Sequence, residues 1–250
     1  MNVVAEPQPI PLLRLVVLHL APGALATLVF VLLSGPVEAA GYPPLASLLV
    51  AIVLVIIPFE LAVIVRASQR EWPEAGWLAS ITYRMPMRAL DWATLVPVLL
   101  VAGIVGFGLL SLIEQSILDG LFGWLPVWFV EPVPVDSVNQ YSASAWTVTL
   151  IGYAALNVIA GPITEELYFR GYLLPRMSHF GRWAPLLNVT LFSLYHFFSP
   201  WQFLSRIAGV APFAYAVWWK RNVYLGMAVH VLLNGIGTAT VIALVLDRLT

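Results

Sequence analysis

Three short polar clusters interrupt an otherwise apolar chain. Thr164-Glu165-Glu166-Leu167-Tyr168-Phe169-Arg170-Gly171 holds two adjacent carboxylates and a guanidinium, Phe192-Ser193-Leu194-Tyr195-His196 ends on an imidazole, and His230-Val231-Leu232-Leu233-Asn234 sets an imidazole and an amide four residues apart. On a helix, Glu166 and Arg170 share a face at the spacing of an ion pair, and Glu165 is turned about 100° away from them. Arg170 then neutralises Glu166 and leaves Glu165 free to point into a bundle. His230 and Asn234 also share a face and offer two donors, which suits an oxyanion. A carboxylate and an imidazole near one water can make that water nucleophilic by general-base catalysis.

The same residues admit other readings. Glu165, His196 and His230 make a two-histidine, one-carboxylate set that could hold zinc with a position open for water, although no His-Glu-x-x-His helix is present. Intramembrane Glu and His also serve proton relays in transporters, whose folds commonly repeat in halves; no internal repeat is visible here. Taken singly, Glu165, Glu166 and Arg170 could be a structural network, Asn234 an interhelical hydrogen bond, and His196 a packed ring on a backbone carbonyl. His19 has no polar neighbour in sequence, His179 lies in a basic turn, and Glu60 is expected to pair with an arginine.

The elements that must position these groups are membrane helices. Of the 250 residues 60% are hydrophobic and 10% charged, with a mean hydropathy of +0.89, against roughly a quarter charged in an ordinary soluble domain. Lipid is therefore the solvent for most of the surface. A net charge of −1 with no Lys/Arg-rich run argues against nucleic acid as a partner. The absence of cysteine removes disulfides, thiolate metal sites and a cysteine nucleophile.

Seven apolar segments of spanning character are expected, at about 12–34, 45–66, 92–113, 146–176, 184–199, 203–219 and 223–246. The fourth is expected to break near Gly161-Pro162. The run from Leu12 to Leu33 is too long for a signal-peptide core and reads as a retained first span. Arg66, Arg70, Arg84 and Arg88, then Arg176 and Arg182, then Lys220 and Arg221 fall in alternate connections. Glu38 falls between the first two spans, and Glu114, Asp119, Glu131 and Asp136 between the third and fourth. The positive-inside rule places the basic connections and the amino terminus in the cytoplasm and the carboxyl terminus outside. Arg206 is the exception, a basic residue at the acidic face. Trp124 to Ser144, with three prolines, reads as an extramembrane loop. At 1.5 Å per residue, Glu165 lies about 16 Å from Arg176, His230 about 14 Å from Arg221 and His196 about 21 Å from Arg182, so three helices bring polar groups to a similar depth.

Glu165-Glu166-x-x-x-Arg170-Gly171, Phe192-x-x-x-His196 and His230-x-x-x-Asn234, in this order on hydrophobic helices, resemble the signature of the CAAX-protease and bacteriocin-processing family of intramembrane proteases (CPBP, or Abi), which includes the type II CAAX prenyl endopeptidases. The likeness covers about residues 146–240. It implies a catalytic core at 146–250 preceded by amino-terminal transmembrane helices at 1–145, all in one membrane domain of all-α, polytopic character with the active site inside the bundle. It also implies an endopeptidase in which Glu165 is the main catalytic carboxylate, His196 its partner on the water, His230 and Asn234 the oxyanion donors, and Glu166 and Arg170 supports. The expected partners are membrane lipid and a protein or peptide substrate, membrane-associated or not, with no cofactor required and zinc as the alternative. A multi-pass protein of a bacterial cytoplasmic membrane is expected, with a wet cavity open to the cytoplasmic side. A noncatalytic scaffold or immunity protein on the same fold is the remaining alternative.

Overall fold

The computed structural model describes residues 7–249. Among them the chain is helical throughout, with a single isolated bridge between Arg84 and Asn222. Seven helical passages carry the architecture: α1 (Leu12–Ala39), α2 (Pro44–Glu71), α3 (Ala89–Ser111), α4 (143–173), α5 (Ala184–Tyr195), α6 (Phe203–Lys220) and α7 (Val223–Leu249). Their bounds follow local chemistry. Pro11, Pro43 and Pro44 lie at the starts of α1 and α2, where a missing N–H costs nothing. Ser142 caps α4 by accepting from the Ala145 amide at 3.1 Å, which satisfies a donor that the helix leaves open.

Helices α1, α2, α3 and α7 are each long and apolar enough to cross a bilayer, and so is the continuous helical stretch Ala143–Tyr195, making five such elements rather than seven. The difference lies in the two shortest passages. α5 is an arm of the Ala143–Tyr195 stretch, turned back at Gly181, whose φ of 53° and ψ of −130° interrupt the helical path. α6 carries Arg206 and Lys220. The chain is all-α and a multi-pass integral membrane protein.

The expected break at Gly161-Pro162 does not occur. α4 runs through it because two wide π turns, Ala154–Ala160 and Glu166–Leu173, flank the short α segment Gly161–Glu165. Local widening of this kind accommodates backbone groups that a proline frees.

The basic connections meet at one end of the bundle. The Ile10 amide donates to the Arg176 carbonyl at 3.1 Å, Arg176 reaches Glu71 and the Ser80 carbonyl, Arg84 bridges to Asn222, and Lys220 lies 3.2 Å from Asp91. At the other end Ser205 donates to Glu114, and Arg248, near the end of α7, comes within 3.9 Å of Asp136. Glycine permits the closest helix approaches, as is usual between membrane helices. A Cβ at Gly106 would meet the Ala208 backbone, one at Gly209 the Phe107 ring, and one at Gly23 the carbonyl and ring of Tyr195.

Candidate active site

Glu165 and Glu166 part company at the start of the second π turn. Glu166 is fully buried, with Oε1 3.1 Å from Arg170 Nη1 and 3.1 Å from His230 Nδ1. The Arg170 guanidinium is also fully buried. Its nitrogens make no well-aligned hydrogen bond, and it rests over the Phe192 ring at 4.1 Å, with Phe213 at 5.6 Å and Phe169 at 5.9 Å. An opposite charge and three aromatic faces together compensate a cation that burial would otherwise penalise heavily.

Glu165 points the other way. Its Oε1 accepts from the Tyr195 hydroxyl at 3.2 Å, and its Oε2 lies 3.8 Å from His230 Nε2. His230 therefore stands between the two carboxylates, tied to Glu166 through one nitrogen and facing Glu165 with the other.

α5 ends at Tyr195, so His196 is the residue at which the chain leaves the helix, one turn short of the expected end at 199. Its Nδ1 donates to the Phe192 carbonyl at 2.8 Å, an acceptor that the helix terminus leaves open. That bond places a proton on Nδ1, so in the neutral ring Nε2 is the unprotonated nitrogen. The Phe192 ring spaces the two histidines, 4.8 Å from His196 and 6.2 Å from His230 between centroids. Asn234, one turn beyond His230 on α7, donates to the Asn157 carbonyl at 2.9 Å, which commits one of its two amide hydrogens.

Glu165, His196, His230 and Asn234 all line one cavity of about 580 Å³; Glu166 and Arg170 lie behind its wall. The cavity does not open where the sequence suggests. Val130, Glu131, Pro132 and Val133 of the connection between α3 and α4 line it, together with Ser199, Gln202 and Arg206, and no residue of the basic connections does. Glu131 is exposed, so the cavity reaches the surface at the acidic face. The physical reason is that α5 is short: it returns the chain only part of the way, and residues 196–202 fold into the bundle at the level of the site.

Glu165, His196 and His230 do not converge as metal ligands, and among the described residues no group of three or more His, Asp or Glu is placed to hold a metal ion. His230 commits Nδ1 to Glu166 and His196 commits Nδ1 to a carbonyl.

Three further residues belong to the site. Tyr195 orients Glu165. Asn157 accepts from Asn234 and donates to Thr238 at 2.9 Å. Glu60 on α2 is fully buried with neither oxygen in a well-aligned hydrogen bond, beside the Tyr195 hydroxyl and within electrostatic reach of Glu165, Arg170 and Glu166. Among the described residues it forms no ion pair with a loop arginine. The signal was available, since a carboxylate inside the apolar segment 45–66 is a functional candidate by the same rule that singled out Glu165. His19, by contrast, is structural: it donates to the Leu15 carbonyl at 2.8 Å and accepts from Asn188 at 3.1 Å.

Fold and site together define an all-α membrane protein with an acid and histidine cluster walled into a cavity. Residues 147–236 match the family model described as type II CAAX prenyl endopeptidase, Rce1-like. The segment that carries the site is thus similar to a family of proteases. Neither the curated proteins nor the solved structures compared with the chain gave a match.

Proposed function

We propose that the protein is an intramembrane endopeptidase that hydrolyses a peptide bond with water activated by Glu165 and His196. The observation that carries this reading is that Glu165, His196, His230 and Asn234, from three separate helices, line one cavity. Glu165, oriented by Tyr195, takes a proton from water held between it and the free Nε2 of His196. The hydroxide adds to the scissile carbonyl. Nε2 of His230 and the uncommitted amide hydrogen of Asn234 donate to the oxyanion. Because Nδ1 of His230 already donates to Glu166, donation from Nε2 requires the doubly protonated ring. The proton held by Glu165 or His196 passes to the departing amine as the C–N bond breaks.

An apolar groove of about 400 Å³, formed by Val37 to Leu54 and Val148 to Leu156, shares Leu49 and Leu156 with the cavity wall. A substrate segment lying in lipid thus has a path beside the site, which supports a membrane-associated substrate.

The test is cleavage of a peptide library by the protein in nanodiscs. Glu165→Gln should lower the rate of any robust cleavage by at least about 10³-fold, loss of the general base and of its positioning acting together, and chelator should leave the wild-type rate unchanged. Equal cleavage by wild type and variant would remove Glu165 from the mechanism, and loss of wild-type activity on chelation would put zinc in its place.

A further inference from the structure

Arg206 is the basic residue that the charge asymmetry of the connections does not explain, and it sits at the acidic end of α6. The residue is buried to 8% exposure and lines the same cavity as Glu165, His196, His230 and Asn234. Its Nη2 donates to two neutral acceptors, Ser199 Oγ at 2.8 Å and Gln202 Oε1 at 2.9 Å, while Nη1 has no hydrogen-bond partner. Among the described residues no carboxylate forms an ion pair with it, although the charges of Glu165 and Glu114 lie within electrostatic reach; Glu114 itself accepts from Ser205. Ser199 and Gln202 fix the fork of the guanidinium without neutralising it. A buried cation with an open donor is costly to maintain, and Arg206 is the one Lys or Arg among the residues that wall the cavity.

From this we infer that Arg206 is an anion-recognition residue, and that the cavity takes a peptide by a carboxylate bound at Nη1 while Glu165 works on the chain further along. The inference rests on the peptidase reading for the identity of the ligand as a peptide. The chemistry selects a carboxylate over a more highly charged group, since one guanidinium supplies a single compensating charge and both Glu165 and Glu131 line the same space. The carboxylate can come from the free terminus of the peptide or from an Asp or Glu side chain.

Binding of fluorescent six-residue apolar peptides to the Glu165→Gln protein in nanodiscs separates these sources and needs no turnover. Four probes suffice: the free acid, its C-terminal amide, the amide with one internal Glu, and the amide with Gln at that position. At least one charged probe should bind about tenfold or more tighter than its neutral counterpart, as a charge-assisted hydrogen bond in a buried site provides, and the pair that shows the ratio names the source. The ratio should fall to about one in Arg206→Gln and persist in part in Arg206→Lys. Equal binding of all four probes, no binding of any, or a ratio that survives Arg206→Gln would overturn the assignment. If Arg206→Gln does not fold, the acid-to-neutral ratio on the otherwise native Arg206 protein still decides. Intact discrimination together with no cleavage by wild type would count against the peptidase reading alone.

Discussion

Of the groups around Glu165, Tyr195 is the one that holds it with a donor, since His230 Nε2 stands off at 3.8 Å. Tyr195→Phe removes that donor and keeps the ring among Phe169 and Phe192. The expected result is a kcat about tenfold lower at unchanged thermal stability, checked by kinetics beside a melting curve; an unchanged kcat would leave Tyr195 a packing residue. Glu60 makes a prediction of opposite character. A buried carboxylate with no well-aligned hydrogen bond is held at a cost, whereas a neutral amide of the same shape is cheaper to bury. Glu60→Gln should therefore melt at the wild-type temperature or above, and a drop of more than about 4 °C, on the order of 1 kcal/mol, would mean that the carboxylate has an unrecognised partner. At this scale the sequence was most legible where spacing alone decides geometry. The Glu166–Arg170 pair and the divergence of Glu165 follow from helical period. The partners of His196, Asn234 and Glu60 do not, because they are set by which helix lies opposite, and that is a long-range property.

Two glycines translate helix packing into site geometry. Gly23 on α1 admits the Tyr195 carbonyl and ring, and Gly226 on α7 admits the Glu166 carboxylate and Val217. Adding a methyl at either forces a neighbour to move. Gly23→Ala should shift Tyr195 and with it Glu165; Gly226→Ala should push Glu166 off Arg170 and His230. Each is expected to lower both activity and the melting temperature, and each is to be compared with Gly108→Ala, which meets nothing within 4 Å and should leave both unchanged or raise stability slightly, alanine being the better helix former. A Gly23→Ala protein with wild-type kinetics would show that the contact is slack. The helices themselves were readable from hydropathy, with starts and ends falling within a few residues for most. The continuity of α4 through Pro162 was not, because a π turn leaves no mark in composition and arises only where neighbouring helices hold the backbone.

For the whole molecule, the separation of a basic end from an acidic end was legible in the sequence, and the end at which the cavity opens was not. The opening depends on the length of α5 and the fold of residues 196–202, and hydropathy read that stretch as an ordinary span to 199. The absence of cysteine makes the arrangement testable, since any introduced thiol is unique. With a membrane-impermeant maleimide, Val133→Cys and Ser199→Cys should label from the face opposite to that which labels Arg84→Cys. Labelling of all three from the same side would contradict the cavity's placement.

The buried floor of the cavity has one more consequence. Between the wetted residues and the basic end lie Arg170 paired with Glu166 and the rings of Phe169, Phe192 and Phe213, all buried to 1% exposure or less. On the proposed mechanism this layer is expected to stop water that reaches Glu165, so that the site does not become a conduit for ions. Phe192→Ala, which removes the ring lying over Arg170, should make proteoliposomes carrying the protein leak protons faster than those carrying wild type.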